Sequence, residues 1–137
     1  MNNKETVIEI YESFGKGDVD AILEHIDDNV EWDYGSTSIP VPWLMRRDGK
    51  EDVAGFFAST AALEFHEFRP KEILEADELV VALLDVDFTV KATGKRVHER
   101  DELHVFRFGP NGKVVKFRHG VDSFEHYRAW NQALAAA

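Results

Sequence analysis

Two histidines, a glutamate and an arginine near the C-terminal end of this 137-residue chain have a spacing that suggests chemistry. The segment Phe108-Gly-Pro-Asn111-Gly112-Lys113 separates two β-prone runs, and Asn-Gly between strands is the strongest short-range mark of a two-residue type I′ turn. That turn places His104 opposite His119, Phe106 opposite Phe117, and Phe108 opposite Val115. Alternation along the strand then puts Arg100, Glu102, His104, Phe106 and Phe108 on one face. A four-residue loop keeps this set together, whereas a three-residue loop turns one strand over. The face is apolar near the turn and polar further away, which is how a small-molecule pocket is lined. Facing imidazoles beside phenylalanines perturb each other's titration and suit proton transfer.

The preceding hairpin, around Thr93-Gly94, extends the same surface. A two-residue loop there sets Asp87 against Arg100 and Asp85 against Glu102, as part of a site or as a solvent-exposed ladder of charge pairs. His104, His119 and a carboxylate have the ligand types of a two-histidine, one-carboxylate metal centre. No HExxH-like spacing accompanies them, so the sequence gives no reason to expect a metal, and it contains no cofactor motif.

These residues need a scaffold to hold them. Val7, Ile8, Tyr11 and Phe14 follow a helical period, Gly15-Lys-Gly17 ends that helix, and Asp18 is a good N-cap for a second one that turns in Val19, Ile22, Leu23 and Ile26. Asp27-Asp28-Asn29 reads as a turn into a brief strand, Val30–Asp33. Pro40 and Pro42 keep residues 35–42 a loop. A third helix is expected over Glu51–Leu63, burying Val53, Phe56, Phe57 and Ala61. Strands follow over Phe65–Ala76 (bent at Pro70), Glu78–Lys91, Lys95–Phe108 and Lys113–Val121, and a closing helix over Asp122–Ala135. Helices first and then antiparallel hairpins mean α+β, with helices covering one face of a curved sheet.

Composition narrows the function. There are 16 basic and 26 acidic side chains, a net charge of −10, and no cysteine. Thiolate zinc sites and cysteine nucleophiles are therefore excluded, and the negative charge argues against binding a phosphate backbone. Residues 1–68 carry 5 basic and 15 acidic groups, whereas residues 69–137 carry 11 of each. The longest aliphatic run, Leu79–Leu84, is far too short to cross a bilayer, so the expectation is one cytoplasmic domain over residues 1–137 with no membrane or nucleic-acid partner.

Tyr11-Glu-Ser-Phe14-Gly-Lys-Gly17-Asp18-Val-Asp20 and Asp27-Asp28-Asn-Val-Glu-Trp32-Asp33 resemble the opening of the SnoaL-like and ketosteroid-isomerase-like group of the nuclear transport factor 2 superfamily. The run from Glu102 to Phe108, the run from Gly112 to His119, and Asp122 resemble its last two strands. The resemblance implies a cone-shaped, strongly curved antiparallel-rich sheet enclosing a pocket, and a homodimer through the sheet. It sets Asp33 at the position of the isomerase general base, and His104 where a protonated aspartate serves as oxyanion donor. The helix position of the oxyanion tyrosine holds Ile10, with Tyr11 next to it. Asp122 matches the acid/base carboxylate of the cyclases, and Arg100-x-Glu102 resembles the Arg-x-Asp of limonene-type epoxide hydrolases. The expected function is binding of a small apolar, oxygen-bearing molecule, with cofactor-independent isomerase or lyase chemistry by Asp33, His104 and His119. Arg100, Glu102, Tyr11, Trp32, Trp43, Phe57, Phe106, Phe117 and Asp122 are expected to contact the ligand. The alternatives are a non-catalytic binding or dimerisation module and an epoxide-hydrolase- or dehydratase-like enzyme.

Two positions carry competing expectations. Alternation sends Trp32 and Asp33 to opposite faces unless the strand is irregular. Asp122 also starts an Asp-x-x-Glu capping box with Glu125. His25, His66 and His126 fall at positions read as exposed and receive no role.

Overall fold

Asn2 opens α1 (Asn3–Gly15) through a reciprocal capping box: its side chain accepts from the Glu5 N–H at 2.8 Å, and Glu5 accepts from the Asn2 N–H at 3.2 Å. In this computed structural model, which describes residues 1–35 and 39–136, α1 buries Val7 and Ile10 and half-buries Tyr11 and Phe14. Ile8, expected on the packed stripe, is exposed. Gly17 ends the helix in a left-handed conformation (φ 70°), and Asp18 caps α2 (Val19–Leu23) by accepting from the Ala21 N–H at 3.1 Å. Ile26 is buried, but as the first residue of β1 (Ile26–Trp32), so that strand starts earlier than the aspartates suggested. The expected turn at Asp27–Asn29 survives as a break in pairing between Ile26 and Glu31.

A 3-10 turn, Pro42–Leu44, and the two-residue strand β2 (Arg47–Asp48) lead into α3 (Lys50–Ser59). This helix buries Val53, Phe56 and Phe57. It ends four residues before the expected boundary, giving way to a 3-10 turn over Thr60–Ala62 that leaves Ala61 exposed. Four long strands follow: β3 (Leu63–Ala76), β4 (Leu79–Val90), β5 (Arg96–Phe108) and β6 (Val114–Gly120). The closing segment is two helices, α4 (Ser123–Trp130) and α5 (Gln132–Ala135). The six strands form one curved, unclosed sheet in the order β2-β1-β6-β5-β4-β3, antiparallel except where β1 runs beside β6. The fold is thus the expected α+β arrangement, with N-terminal helices packed on the sheet. No helix among the described residues is long and apolar enough to cross a membrane.

Three backbone irregularities decide which side chains face inward. At the β5–β6 hairpin, Gly112 (φ 77°) takes the left-handed position of a three-residue loop closed by Gly109 and Lys113, instead of the expected type I′ turn. Such a loop alone would turn β6 over, but Val115 is bulged out between the Phe108–Val114 and Arg107–Lys116 pairs. Phe108 therefore faces Val114 and not Val115, while His104–His119 and Phe106–Phe117 pair as expected.

The β4–β5 loop has four residues, closed by Val90 and Lys95, so Asp87 faces His98 and not Arg100. A bulge at Arg100–Asp101, with Asp101 at φ 56°, then brings Glu102 opposite Leu84 and not Asp85. The third irregularity is Asp33, at φ 55°, whose N–H donates to the Phe117 carbonyl at 2.7 Å. Leaving the strand in this conformation lets Trp32 and Asp33 both be buried, which simple alternation forbids.

Asp85 and Asp87 thus lie on the outer face of the sheet in the charge ladder. Asp85 accepts from Arg69 at 2.9 Å, Arg100 at 2.8 Å and the Asp101 N–H at 3.3 Å, and pairs with Lys71 at 2.9 Å. Arg96 grips Asp87 with two nitrogens at 2.7 and 2.8 Å. The Lys71 hydrogen bond above all, aided by Asp101 and Arg100, holds the Asp85 carboxyl well below the usual carboxylate range. A depressed carboxyl stabilises the fold above its unfolded value of about 3.9, and this contribution fades as pH falls towards the folded value. Asp85→Asn should therefore lower the melting temperature at pH 7, and thermal scans should show its deficit against wild type shrinking below about pH 4. A deficit unchanged from pH 7 to pH 3 contradicts this account.

Candidate functional site

The concave face of the sheet, α1, α3 and the Pro42–Leu44 turn enclose a cavity of about 80 Å³. Its wall is mostly aromatic. Trp32 stacks on Phe117 with centroids 4.0 Å apart, and Phe106 meets Phe117 edge-on at 4.9 Å. Tyr11, Phe57 and Trp43 also line the space, and Tyr11, Glu102, His104, His119 and His126 bring polar atoms to it.

Each of the three histidines is tied to a carboxylate. Asp33 lies behind His119: one oxygen accepts from the His119 backbone N–H at 2.8 Å, and the two oxygens stand 3.1 and 3.0 Å from its Nδ1. A carboxylate can only accept, so Nδ1 carries a proton; in the neutral ring Nε2 then keeps its lone pair, with no protein partner among the described residues. Burial works against a charged His119, but the charge of Asp33 and its hydrogen bond outweigh burial and hold the imidazole above its ordinary value. Asp33 is itself buried and does not line the cavity.

His104, across the ladder, sits between two partners. Its Nε2 is 2.6 Å from Glu102 Oε2, and its Nδ1 is 2.8 Å from the Tyr11 hydroxyl. Burial lowers the His104 titration and Glu102 offsets this only in part. Burial also opposes ionisation of Glu102, yet the His104 hydrogen bond and the neighbouring histidine charges keep its carboxyl below the usual range. The consistent state is an ionised Glu102 accepting from Nε2–H of a neutral His104, whose Nδ1 accepts from Tyr11 O–H. Burial first, and the Glu102 charge second, raise the Tyr11 phenol well above its ordinary value, so it remains protonated.

The third pair is absent from the sequence reading. His126 is 2% exposed, not at the surface, and its Nε2 is 2.8 Å from Glu99. The Trp43 indole donates to its Nδ1 at 3.0 Å. An indole only donates, so this fixes the proton of His126 on Nε2, facing Glu99. Glu99 takes the inward place expected for Arg100, because the Arg100–Asp101 bulge displaces the alternation by one residue. The only sequence signal was Glu99's position one turn of the pleat from Val97, which has meaning only once the bulge is known.

Two expected ligand contacts are corrected. Arg100 has 57% of its side chain exposed and binds Asp85 on the outer face. Asp122 is exposed and caps α4 by accepting from the Glu125 N–H at 3.2 Å, while its own N–H donates to Glu99. Trp32 Nε1 is buried without a partner among the described residues, although Trp32 lines the cavity.

A curved sheet with helices on its concave face and histidine–carboxylate pairs at the base of an aromatic cavity defines a pocket protein. The SnoaL-like domain model matches residues 7–117, and the chain belongs to that family, within the nuclear transport factor 2-like superfamily. No curated protein matches the chain. It is similar to a nuclear transport factor 2-like protein of unknown function from Burkholderia pseudomallei K96243, at 27% identity over 94% of this chain and 98% of that one, with a TM-score of 0.79. A provisionally named SnoaL-like polyketide cyclase from Mesorhizobium loti shares the fold at 21% identity, 88% and 99% coverage and a TM-score of 0.69. A provisionally named isomerase from Rhodopseudomonas palustris does so at 18% identity, 91% and 90% coverage and a TM-score of 0.69.

The two ladder histidines should titrate apart. In a nitrogen-detected NMR titration, the His119 ring should have its midpoint above about 6.5 and His104 below it. Asp33→Asn should move the His119 midpoint down, because the substitution removes the charge that raises it. A His119 midpoint indifferent to Asp33→Asn contradicts the pairing.

Proposed function

We propose that this protein binds a small, neutral, apolar molecule bearing a carbonyl and moves a proton on the carbon next to it, as a cofactor-independent isomerase or lyase. The observation that carries this reading is the free Nε2 of His119, backed by Asp33 and facing an aromatic cavity. His119 Nε2 takes the proton as the C–H bond breaks, and the electron pair passes into an enolate. The Tyr11 hydroxyl swings from His104 Nδ1 to donate to the enolate oxygen. The imidazolium of His119 then returns the proton to another carbon of the conjugated system. Asp33, set at the base position by resemblance, acts here through His119, as a positioning residue. The family neighbours named as cyclase and isomerase are compatible with this chemistry.

Deuterium exchange at carbons next to the carbonyl of small cyclic and aryl ketones, followed by NMR in D₂O, tests the step without knowledge of the natural substrate. Wild type should accelerate exchange for at least one such ketone. His119→Gln should reduce the rate by about 10²-fold or more, and Tyr11→Phe by about 10–10²-fold. A ketone that quenches tryptophan fluorescence on binding yet shows no enhanced exchange assigns the pocket to binding alone.

The homodimer expected through the sheet is also a proposal. The outer face presents Leu74 (60% exposed) and Leu103 (39% exposed). Val81 and Val105 lie beside them, paired as Leu74–Val81 and Val81–Val105. Such a continuous apolar strip favours self-association. Analytical ultracentrifugation should show a dimer at micromolar concentration for wild type and a monomer for Leu103→Asp. A monomeric wild type overturns it.

A further inference from the structure

We infer that Glu102, His104 and His119 form a binding site for one divalent transition-metal ion of the zinc class. The inference does not rest on the proton-transfer reading: it follows from how the donors are arranged. One ring nitrogen of each histidine and one oxygen of Glu102 lie within 4.8 Å of one another. All three residues line the cavity. The Nδ1 atoms of His119 and His104 are turned to Asp33 and to Tyr11, at 3.0 and 2.8 Å, so the converging nitrogens are the Nε2 atoms. A metal-bound imidazole characteristically gives its other N–H to a carboxylate or similar oxygen, and both histidines have that oxygen in place. In the neutral ring His119 Nε2 has a free lone pair. His104 frees its own by shifting its proton from Nε2 to Nδ1, where the Tyr11 oxygen can accept it.

Metal–ligand bonds of roughly 2.0–2.2 Å separate donors by about 3.3–3.6 Å in a tetrahedral site. The present 2.6 Å between Glu102 and His104 must therefore widen slightly, and the His119 side close in. Two nitrogens and one carboxylate suit zinc, cobalt or iron(II) and leave at least one position open to the cavity.

The donors of neighbouring Glu99, Glu102 and His126 also lie within 4.8 Å of one another, but they are not such a site. Trp43 donates to His126 Nδ1, which keeps the proton on Nε2 and leaves no lone pair for a metal. A metal at the first cluster occupies the lone pair of His119 that would take a proton, so metal binding and proton abstraction exclude each other.

The test uses tag-free full-length protein stripped with a chelator and titrated with zinc and cobalt(II) salts. Calorimetry should give one site per chain, and cobalt should give the visible absorption of a low-coordinate nitrogen–oxygen site. Glu102→Gln and His119→Gln should weaken binding by about 10²-fold or more, and Asp33→Asn by about 10–10²-fold. His126→Gln should leave it unchanged. Should a variant fold poorly, nitrogen NMR of wild type decides, since zinc must shift Nε2 of both His104 and His119. Binding that survives Glu102→Gln and His119→Gln in folded protein, or zinc that leaves those two nitrogens unmoved, overturns the proposal.

Discussion

The antiparallel pairing of β5 with β6 is the constraint on which the candidate site depends. It holds His104 and His119 directly across from each other, with ring centroids 5.1 Å apart. The distance between their ring heads is set by the ladder and not by flexible side chains. Everything else at the site adjusts to that pair. Asp33 leaves β1 in a left-handed conformation to sit behind one ring, and Tyr11 reaches from α1 to the other. Without a fixed register, neither contact would have a partner at a defined height above the sheet.

Burying three histidine–carboxylate pairs in one apolar cup costs desolvation, and the arrangement limits that cost by engaging both ring nitrogens of two of the three histidines. His126 has Glu99 on one nitrogen and Trp43 on the other, and His104 has Glu102 and Tyr11. Of the three cavity histidines, only His119 is satisfied on a single nitrogen among the described residues. This asymmetry separates a structural role from a chemical one among residues of identical type, because a histidine with both nitrogens engaged has nothing left to offer a ligand until a partner lets go.

Much of this was legible in the chain, though not always for the reason given. Alternation and turn residues located the four long strands, and the paired histidines followed from Asn111-Gly112. The turn itself was misread: its three-residue loop and the Val115 bulge each change the register by one, and the two shifts cancel. No compensating shift rescued Arg100. The bulge at Asp101 sends it outward and Glu99 inward, and nothing in a run of charged residues marks where a strand gains a residue. His126 was missed for a different reason. Its helix has a polar composition, and burial there depends on Trp43 and Glu99, which are distant in sequence. Asp33 shows the same limit: its side-chain direction depends on a single backbone conformation that a period-2 pattern cannot represent.

The placement of charge also limits what can bind. Every arginine and lysine that neutralises Asp85 and Asp87 does so on the outer face, and none lines the cavity among the described residues. Inside are Glu102, held in its ionised form, and Asp33 one layer back, within walls of low polarity that screen poorly. The field in the cup is therefore negative unless a proton or a cation enters. A ligand with its own carboxylate or phosphate would meet that field without a compensating arginine, whereas a neutral carbonyl compound would meet the Tyr11 hydroxyl. The net charge of −10 does not itself set the sign of the field in the cup; the separation of cations from carboxylates across one sheet does.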